Sequence, residues 1–226
     1  MLAIFDKSVA KSPEALQTPN SSGSISALKE GFLANEFANL HPGSVTVNLA
    51  SAGIMAHSLD KQNPFLPRIF AAVDDIFCLF QGHVDNIANL KNQYGLNKTA
   101  NEAIIVIEAY RTLRDRGPYP PEQDAEGSTP FYWGTDADGC LVLSDEADIV
   151  KKGCGKSFAP FPKGCFFTTS GGLRSFEHPS KELKAVPRVD SQGDVCGATF
   201  KVDQDSKKES IGMKKVGSEA NWSTNY

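Results

Sequence analysis

Residues 76–119 read IFCLFQGHVDNIANLKNQYGLNKTANEAIIVIEAYRTLRDRGPY and decide the fold, because they hold a strand, a sharp turn and two helices in succession. Residues 76–80 are β-formers without a polar break, which predicts a strand buried on both faces. Gln81 and Gly82 end this strand, and glycine permits a positive φ or the close approach of another group. The corner therefore predicts either a pocket wall or a simple turn.

Two amphipathic helices are predicted after the corner. The first has apolar residues at helical spacing and stops at Gly95. The second runs from residue 103 to about residue 116, where the dipeptide 117–118 (Gly-Pro) prevents continuation. Thr99 and Glu102 have the spacing of a capping box in front of it. Its last turns carry cations that either complement the helix dipole or form an anion or partner site, namely Arg111, Arg114 and Arg116.

The rest of the chain adds short strands and loops, which gives an α+β protein rather than a doubly wound sheet. Strands are predicted at 1–5, 44–50, 53–57, 131–134, 140–144, 165–169, 173–176 and 197–202. A helix is predicted within 26–40 and one helical turn at 147–151, with loops over 11–26, 64–75 and 118–129. We expect one globular domain over 1–202 and a disordered tail over 203–226, where apolar residues are few.

Composition excludes several classes of function. A net charge of −4 and a pI near 5.6 disfavour a binder of nucleic acid or anionic membrane that uses a basic face. No apolar run has membrane-spanning length and the N-terminus does not resemble a signal peptide, so we expect a soluble cytoplasmic protein, with the nucleus as a second location. A sheet edge or the exposed face of a helix offers a surface for homo-oligomerisation.

The cysteines and histidines do not predict a metal or cofactor site. The odd number of cysteines and their unpaired spacing predict reduced thiols, and the histidines are scattered singly, so we expect neither structural zinc nor a cofactor. These cysteines are Cys78, Cys140, Cys154, Cys165 and Cys196.

Four motifs resemble a known plant family. They are YGL at 94–96, LRDR at 113–116, GCGKSFAPFP at 153–162 and LRSFEHP at 173–179. Together they closely resemble the plant aluminium-induced proteins with YGL and LRDR motifs, a group that includes the stem-specific TSJT1-like proteins, over residues 1 to about 202. That family is similar to the class II glutamine amidotransferase domain. The resemblance implies an N-terminal-nucleophile-hydrolase-like fold, with stacked antiparallel sheets between helical layers.

The same resemblance implies that the amidotransferase chemistry is missing. Active amidotransferases begin Met-Cys-Gly-Ile, whereas this chain begins with Met1 and Leu2, so the thiol nucleophile is replaced by an aliphatic side chain and a retained Met1 would block the amine. The corner FQGHVDN looks like the segment that forms the oxyanion hole, but Gln81 replaces its asparagine. The acidic residue that holds the substrate amine would fall at Ala100 or Asn101, neither of which is charged.

A further departure concerns the fold. The resemblance implies a pair of strands between the Gly-Pro-Tyr-Pro segment and the Asp-Gly-Ser-Pro-Phe-Tyr-Trp-Gly segment. Here Gln123 runs directly into Asp124, so we expect a central hairpin to be missing after Gln123. Its absence should expose strand edges and apolar surface.

We therefore expect a non-catalytic amidotransferase-like protein that acts as an interaction or small-ligand-binding module in plant stress (aluminium) or hormone response. The partner would be another protein or an amino-acid-like ligand. The predicted remnant pocket is formed by Gln81, Gly82, His83, Asn86 and Asn101. The competing expectation is a pocket that is filled by side chains and binds nothing.

Two other hypotheses remain. One is an amidohydrolase or glutaminase that uses Cys154 or Cys165 as the nucleophile, beside His83 or His178. The other is direct binding of a hard cation by a group of carboxylates. The alternative for this group is an ordinary solvated turn. Its members are Asp136, Asp138, Asp145, Glu146 and Asp148.

Overall fold

The computed structural model describes residues 1–18, 25–60, 67–113, 129–178, 181 and 183–202. Its α-helices are α1 (Phe32–Leu40), α2 (Ile87–Gln93), α3 (Glu102–Leu113) and α4 (Ala147–Cys154). Its strands are β1 (Leu2–Phe5), β2 (Val45–Asn48), β3 (Gly53–His57), β4 (Arg68–Val73), β5 (Ile76–Gln81), β6 (Tyr132–Thr135), β7 (Leu141–Ser144), β8 (Phe158–Pro160), β9 (Cys165–Thr168), β10 (Gly172–Ser175), β11 (Leu183–Val189) and β12 (Val195–Val202). None of the helices in these ranges has the length and apolar character needed to span a membrane.

A six-stranded antiparallel sheet in the order β2-β3-β1-β7-β6-β8 is the centre of the fold. Strand β1 lies inside it, with Leu2 opposite both Ala56 of β3 and Ser144 of β7. The sequence LAIF suits an interior strand because it places apolar side chains on both faces of the sheet. Leu2 and Ile4 point to one face and are fully buried there.

Helices α1 and α4 cover that face. Leu33 and Phe37 of α1 and Ile149 of α4 pack on it together with Leu2 and Ile4, and all five side chains are fully buried. Helix α4 is amphipathic, so one side of it joins this cluster while its lysines remain exposed. This interface is therefore the main hydrophobic core on the helical side of the sheet.

The opposite face of the sheet is covered by hairpins. Trp133 and Leu141 are buried on this face, against Phe167 of the β9–β10 hairpin and Phe200 of the β11–β12 hairpin. A third hairpin, β4–β5, packs beneath α3 through a cluster that includes Ile107. Alternation along β5 then directs Leu79 and Gln81 away from α3. The resulting architecture is α+β with antiparallel sheets.

Most strands of the sequence analysis are confirmed, including the β2–β3 and β6–β7 hairpins. The prediction that residues 76–80 are buried on both faces was wrong, because Phe77 remains 43% exposed and β5 pairs, among the described residues, with β4 alone. The loop predicted over 64–75 contains strand β4. Strands β8 and β11 were not predicted, and α4 extends beyond the single turn expected for 147–151.

The capping of α3 also differs from the prediction. Asn101, rather than Thr99, caps this helix, since its Oδ1 accepts a hydrogen bond of 3.0 Å from the Ile104 N–H. Asparagine is as good an N-cap as threonine, and it lies directly before Glu102, where the helix begins. The predicted tail over 203–226 and the junction between Gln123 and Asp124 lie outside the described residues.

Candidate functional site

A cavity of about 620 Å³ lies between the six-stranded sheet and the strands β5 and β9. The sheet contributes Phe5, Leu141 and Leu143, whose side chains all point away from α1 and α4. The side walls include Leu79 of β5 and Phe167 of β9. The volume lies within the roughly 300–1,000 Å³ that small-molecule sites usually occupy, and an apolar lining is typical of such sites.

Gln81 is a polar group in the wall of this cavity. Its Oε1 atom is buried and has no hydrogen-bond partner among the described residues. Its position on β5 is set by cross-strand pairing with Arg68 of β4. Since buried polar atoms are nearly always hydrogen-bonded, this unpaired oxygen is an exception to the rule.

A buried ion cluster holds the β4–β5 hairpin against the sheet at the same end. The Asp145 carboxylate accepts hydrogen bonds from the Met1 α-amino group and, over 2.7 Å, from Arg68 Nη2. The Asp145 side chain is 5% exposed and that of Arg68 is 13% exposed. Burial lowers the pKa of the Met1 amine, although Asp145 acts in the opposite direction. Met1 also contributes to the cavity wall.

His57 lies near this cluster on β3. Its ring stacks on Phe70 of β4, with ring centroids 5.3 Å apart, and its Nδ1 is buried without a hydrogen-bond partner in the described part of the chain. Burial, and to a smaller degree the Met1 ammonium, lowers the pKa of this histidine. The neutral imidazole is thus the form that fits between the two sheets.

Of the five residues predicted for the remnant pocket, Gln81 lies in the cavity wall. Gly82 is buried at φ +128°, and its N–H donates to the Pro67 carbonyl, so it makes the turn that ends β5. His83 is exposed, with Nδ1 3.7 Å from Glu102 Oε1. The other two, Asn86 and Asn101, are exposed residues at the starts of α2 and α3. The role of all five residues in ligand binding stays a prediction.

The two candidate nucleophiles are in environments that keep thiols protonated. Cys154 is fully buried between α4 and the sheet, and burial raises its pKa well above the usual range. Cys165 lines the cavity, but burial raises its pKa as well. Within the described ranges, neither thiol is hydrogen-bonded to a histidine, so no base is in place to remove its proton.

Three of the five carboxylates proposed for metal binding are already engaged in other contacts, while Asp138 and Asp148 are exposed. Asp136 accepts N–H groups of its own turn through Oδ1 and the N–H of Ala27 through Oδ2. Glu146 Oε1 lies 2.6 Å from His41 Nε2, while Asp145 belongs to the ion cluster. In the part of the chain that the structure describes, no group of three or more histidine, cysteine, aspartate or glutamate side chains is arranged to hold a metal ion.

Sequence reasoning missed the apolar floor of the cavity. Phe5, Leu141 and Leu143 looked like ordinary core residues, because nothing in the local sequence shows that a cavity lies next to them. The alternation of Leu141 and Leu143 with Val142, whose side chain faces the helices, was the feature of the sequence that indicates their side of the sheet. The buried ion cluster was missed as well, since Arg68 and Asp145 are far apart in sequence.

Comparison with known proteins identifies the family. The family model described as "Aluminium induced protein" matches residues 2–124 and, separately, 122–202. The chain is also similar to the "Stem-specific protein TSJT1" of Nicotiana tabacum, with 38% identity over 135 residues, which cover 58% of this chain and 91% of that protein. The two matches to the family model together include nearly all of residues 2–202. The chain therefore belongs to the aluminium-induced protein family.

Proposed function

We propose that this chain is a non-catalytic, amidotransferase-like protein that binds a small ligand in the cavity beside Gln81. Membership of the aluminium-induced family supports a role in plant stress, and a role in hormone response is the alternative. The observation that carries the proposal is the cavity itself, which combines a mainly apolar lining with the polar residue Gln81 in its wall. A pocket filled by its own side chains would leave no such space.

The proposed fold is a variant of the N-terminal-nucleophile hydrolase fold. Its support is the succession of layers: α1 and α4, the six-stranded antiparallel sheet, the antiparallel hairpins, and α3 over β4–β5. This agrees with the stacked sheets between helical layers that the sequence resemblance implies.

We further propose that the cavity marks the place of a hairpin that the chain lacks after Gln123. The two matches to the family model meet at residues 122–124, which is where the sequence predicts the omission. Among the described residues, β5 and β9 each pair with a single strand, and both contribute to the cavity wall. A hairpin placed between them would join these two small sheets into a larger one.

The position of residue 2 argues against amidotransferase catalysis. Leu2 has no nucleophilic atom, and its side chain is fully buried on the face of the sheet covered by α1 and α4. The cavity lies on the opposite face. Cys165 is the thiol that faces the cavity, and burial keeps it in the protonated form. A ligand in the cavity would therefore meet no activated nucleophile on the described residues.

Binding of N-phenyl-1-naphthylamine, whose fluorescence increases in apolar surroundings, tests the proposal. We expect saturable binding to the wild-type protein and a loss of at least tenfold in affinity for Leu143→Trp, which places an indole on the cavity floor. Val45→Trp is the matched control, because Val45 is 53% exposed on the edge strand β2. No saturable binding, or equal binding by the wild type and Leu143→Trp, would refute a ligand cavity.

A further inference from the structure

We propose that the cavity takes a small aromatic acid, with its rings packed inside and its anionic group at the mouth, beside the ammonium group of Lys163. This ligand class rests on the binding function proposed above and adds the chemistry and orientation of the ligand. Three features of the cavity support it: rings that a ligand can reach, a lysine without an anionic partner in the described ranges, and a lining that lacks a free carboxylate.

The wall offers aromatic rings that are accessible to a ligand. Phe131, Phe161 and Phe167 line the cavity, and each is half-buried, so part of its side chain remains open to contact. Phe161 and Phe167 rest on the buried Trp133, in edge contacts with ring centroids 4.9 Å and 5.8 Å apart. Rings fixed in this way form a preorganised surface against which a flat aromatic body packs in offset or edge-on geometry.

Lys163 supplies the positive charge. It belongs to the segment between β8 and β9, and it is the one charged side chain among the described residues that line the cavity. The residue is exposed, which places it where the cavity opens to solvent. It forms no ion pair with a described carboxylate, whereas Lys156 is held by Asp190 and Asp194. The ammonium group of Lys163 is therefore available to the anionic group of a ligand.

The polarity of the lining determines how such a ligand lies. The floor of the cavity is formed by apolar side chains, including Leu141 and Leu143, which offer no hydrogen-bond partner to an anion. An anionic group placed there would lose its hydration without compensation, while at Lys163 it meets both a cation and solvent. The rings therefore point inward and the acid group points to the mouth.

The same lining disfavours a cationic ligand. No aspartate or glutamate is among the described residues that line the cavity. Asp145 contacts the lining residue Met1, but its carboxylate is shared between the Met1 amine and Arg68. A cation entering the cavity would be desolvated without a free counter-ion. A neutral ligand would gain nothing from Lys163, so an acid is the class that uses the whole lining.

Displacement of N-phenyl-1-naphthylamine by 2-naphthoate and by 2-naphthamide tests the charge, because the two competitors have nearly the same shape and the naphthoate alone is anionic at neutral pH. The acid preference is the ratio of the inhibition constant of the amide to that of the acid. We expect this ratio to fall by about threefold in Lys163→Gln and by about tenfold in Lys163→Glu, which adds repulsion. Lys163→Arg keeps the charge and should retain the ratio.

Lys184→Gln is the matched control, because Lys184 is an exposed lysine on β11 outside the cavity lining. It should leave the acid preference at the wild-type value. Raising the salt concentration should reduce the preference of the wild type and have little effect on that of Lys163→Gln, since salt screens an exposed ion pair.

The outcomes separate this inference from the function on which it rests. Saturable binding of N-phenyl-1-naphthylamine, with the same acid preference in the wild type, Lys163→Gln and Lys163→Glu, would overturn the role of Lys163 and leave the ligand cavity intact. An equal loss of preference in Lys184→Gln, or failure of both naphthalene compounds to displace the probe, would also overturn it. If the probe does not bind the wild type, or binds Leu143→Trp unchanged, the cavity is not a binding site and both proposals are wrong.

Discussion

Replacing Asp145 with asparagine should destabilise the protein by about 3 kcal/mol, because it removes the carboxylate that joins the β4–β5 hairpin to the six-stranded sheet. The Arg68 Nη2 atom lies 2.7 Å from Asp145 Oδ2, and both side chains are largely buried. At an effective dielectric constant of about 20, the gross attraction over that distance is roughly 6 kcal/mol. Desolvation of the ions offsets much of it, and removal of one partner from a buried pair typically costs about 3–5 kcal/mol. Asparagine keeps one acceptor oxygen, which places the expected loss at the lower end.

Thermal unfolding followed by circular dichroism measures this loss. For a chain of this size, about 3 kcal/mol corresponds to a decrease in Tm of roughly 6–12 °C. Asp148→Asn is the matched control, since Asp148 is exposed in the first turn of α4 and its substitution should change stability by about 0.5 kcal/mol or less. A double variant, Arg68→Met with Asp145→Asn, should lose less than the sum of the two single variants. Equal Tm values for Asp145→Asn and Asp148→Asn would refute the structural role of the ion cluster.

Three further predictions concern packing, pH and thiol reactivity. Gly153→Ala should destabilise the wild type by about 1–3 kcal/mol, because the new Cβ would lie 2.5 Å from Leu33 Cδ1. In a Leu33→Ala background the same substitution should be neutral or stabilising. Equal effects in both backgrounds, measured by urea unfolding, would contradict the α1–α4 packing. The pKa of His57 is lowered from 6.5 by burial, so the unfolded chain binds the proton more readily. The contribution of His57 to stability is therefore complete above pH 6.5 and is lost as the pH falls toward its pKa in the folded protein. The stability of His57→Phe should depend less on pH than that of the wild type. The same pH dependence of stability in both proteins would contradict this prediction. Cys154 and Cys165 should react with iodoacetamide at pH 8 much more slowly in the native protein than in urea, because burial raises the pKa of both thiols. Mass spectrometry measures the labelling. Rapid labelling of the native protein would show that one of the two thiols is activated.

The fold was predictable where the sequence is locally periodic. The β2–β3 and β6–β7 hairpins follow from alternation and turn residues, and α2 ends before Gly95 as its position predicts. Strand β4 was missed because prolines stand at positions 64 and 67 and the residues after them carry no clear alternation, although pairing with β5 makes residues 68–73 a strand. The burial of 76–80 was overestimated, because a run of apolar residues does not reveal that its strand has a single partner strand in the described part of the chain.

The candidate site was predictable only in part. The Gln-Gly corner drew attention to Gln81, and the structure places this residue in the cavity wall. Its neighbours in sequence, His83 and Asn86, were grouped with it because they are close along the chain, yet the turn at Gly82 carries them to exposed positions. The apolar lining comes from segments distant in sequence, such as Leu143 on β7, so no local pattern could have assembled it.

Release of ammonia from glutamine by the purified wild-type chain, compared with Cys165→Ser, tests the central claim most directly. A binding cavity without an activated nucleophile predicts no ammonia above that released in buffer from either protein. Turnover by the wild type that is absent from Cys165→Ser would contradict the claim, because it would show that the thiol facing the cavity is a working nucleophile.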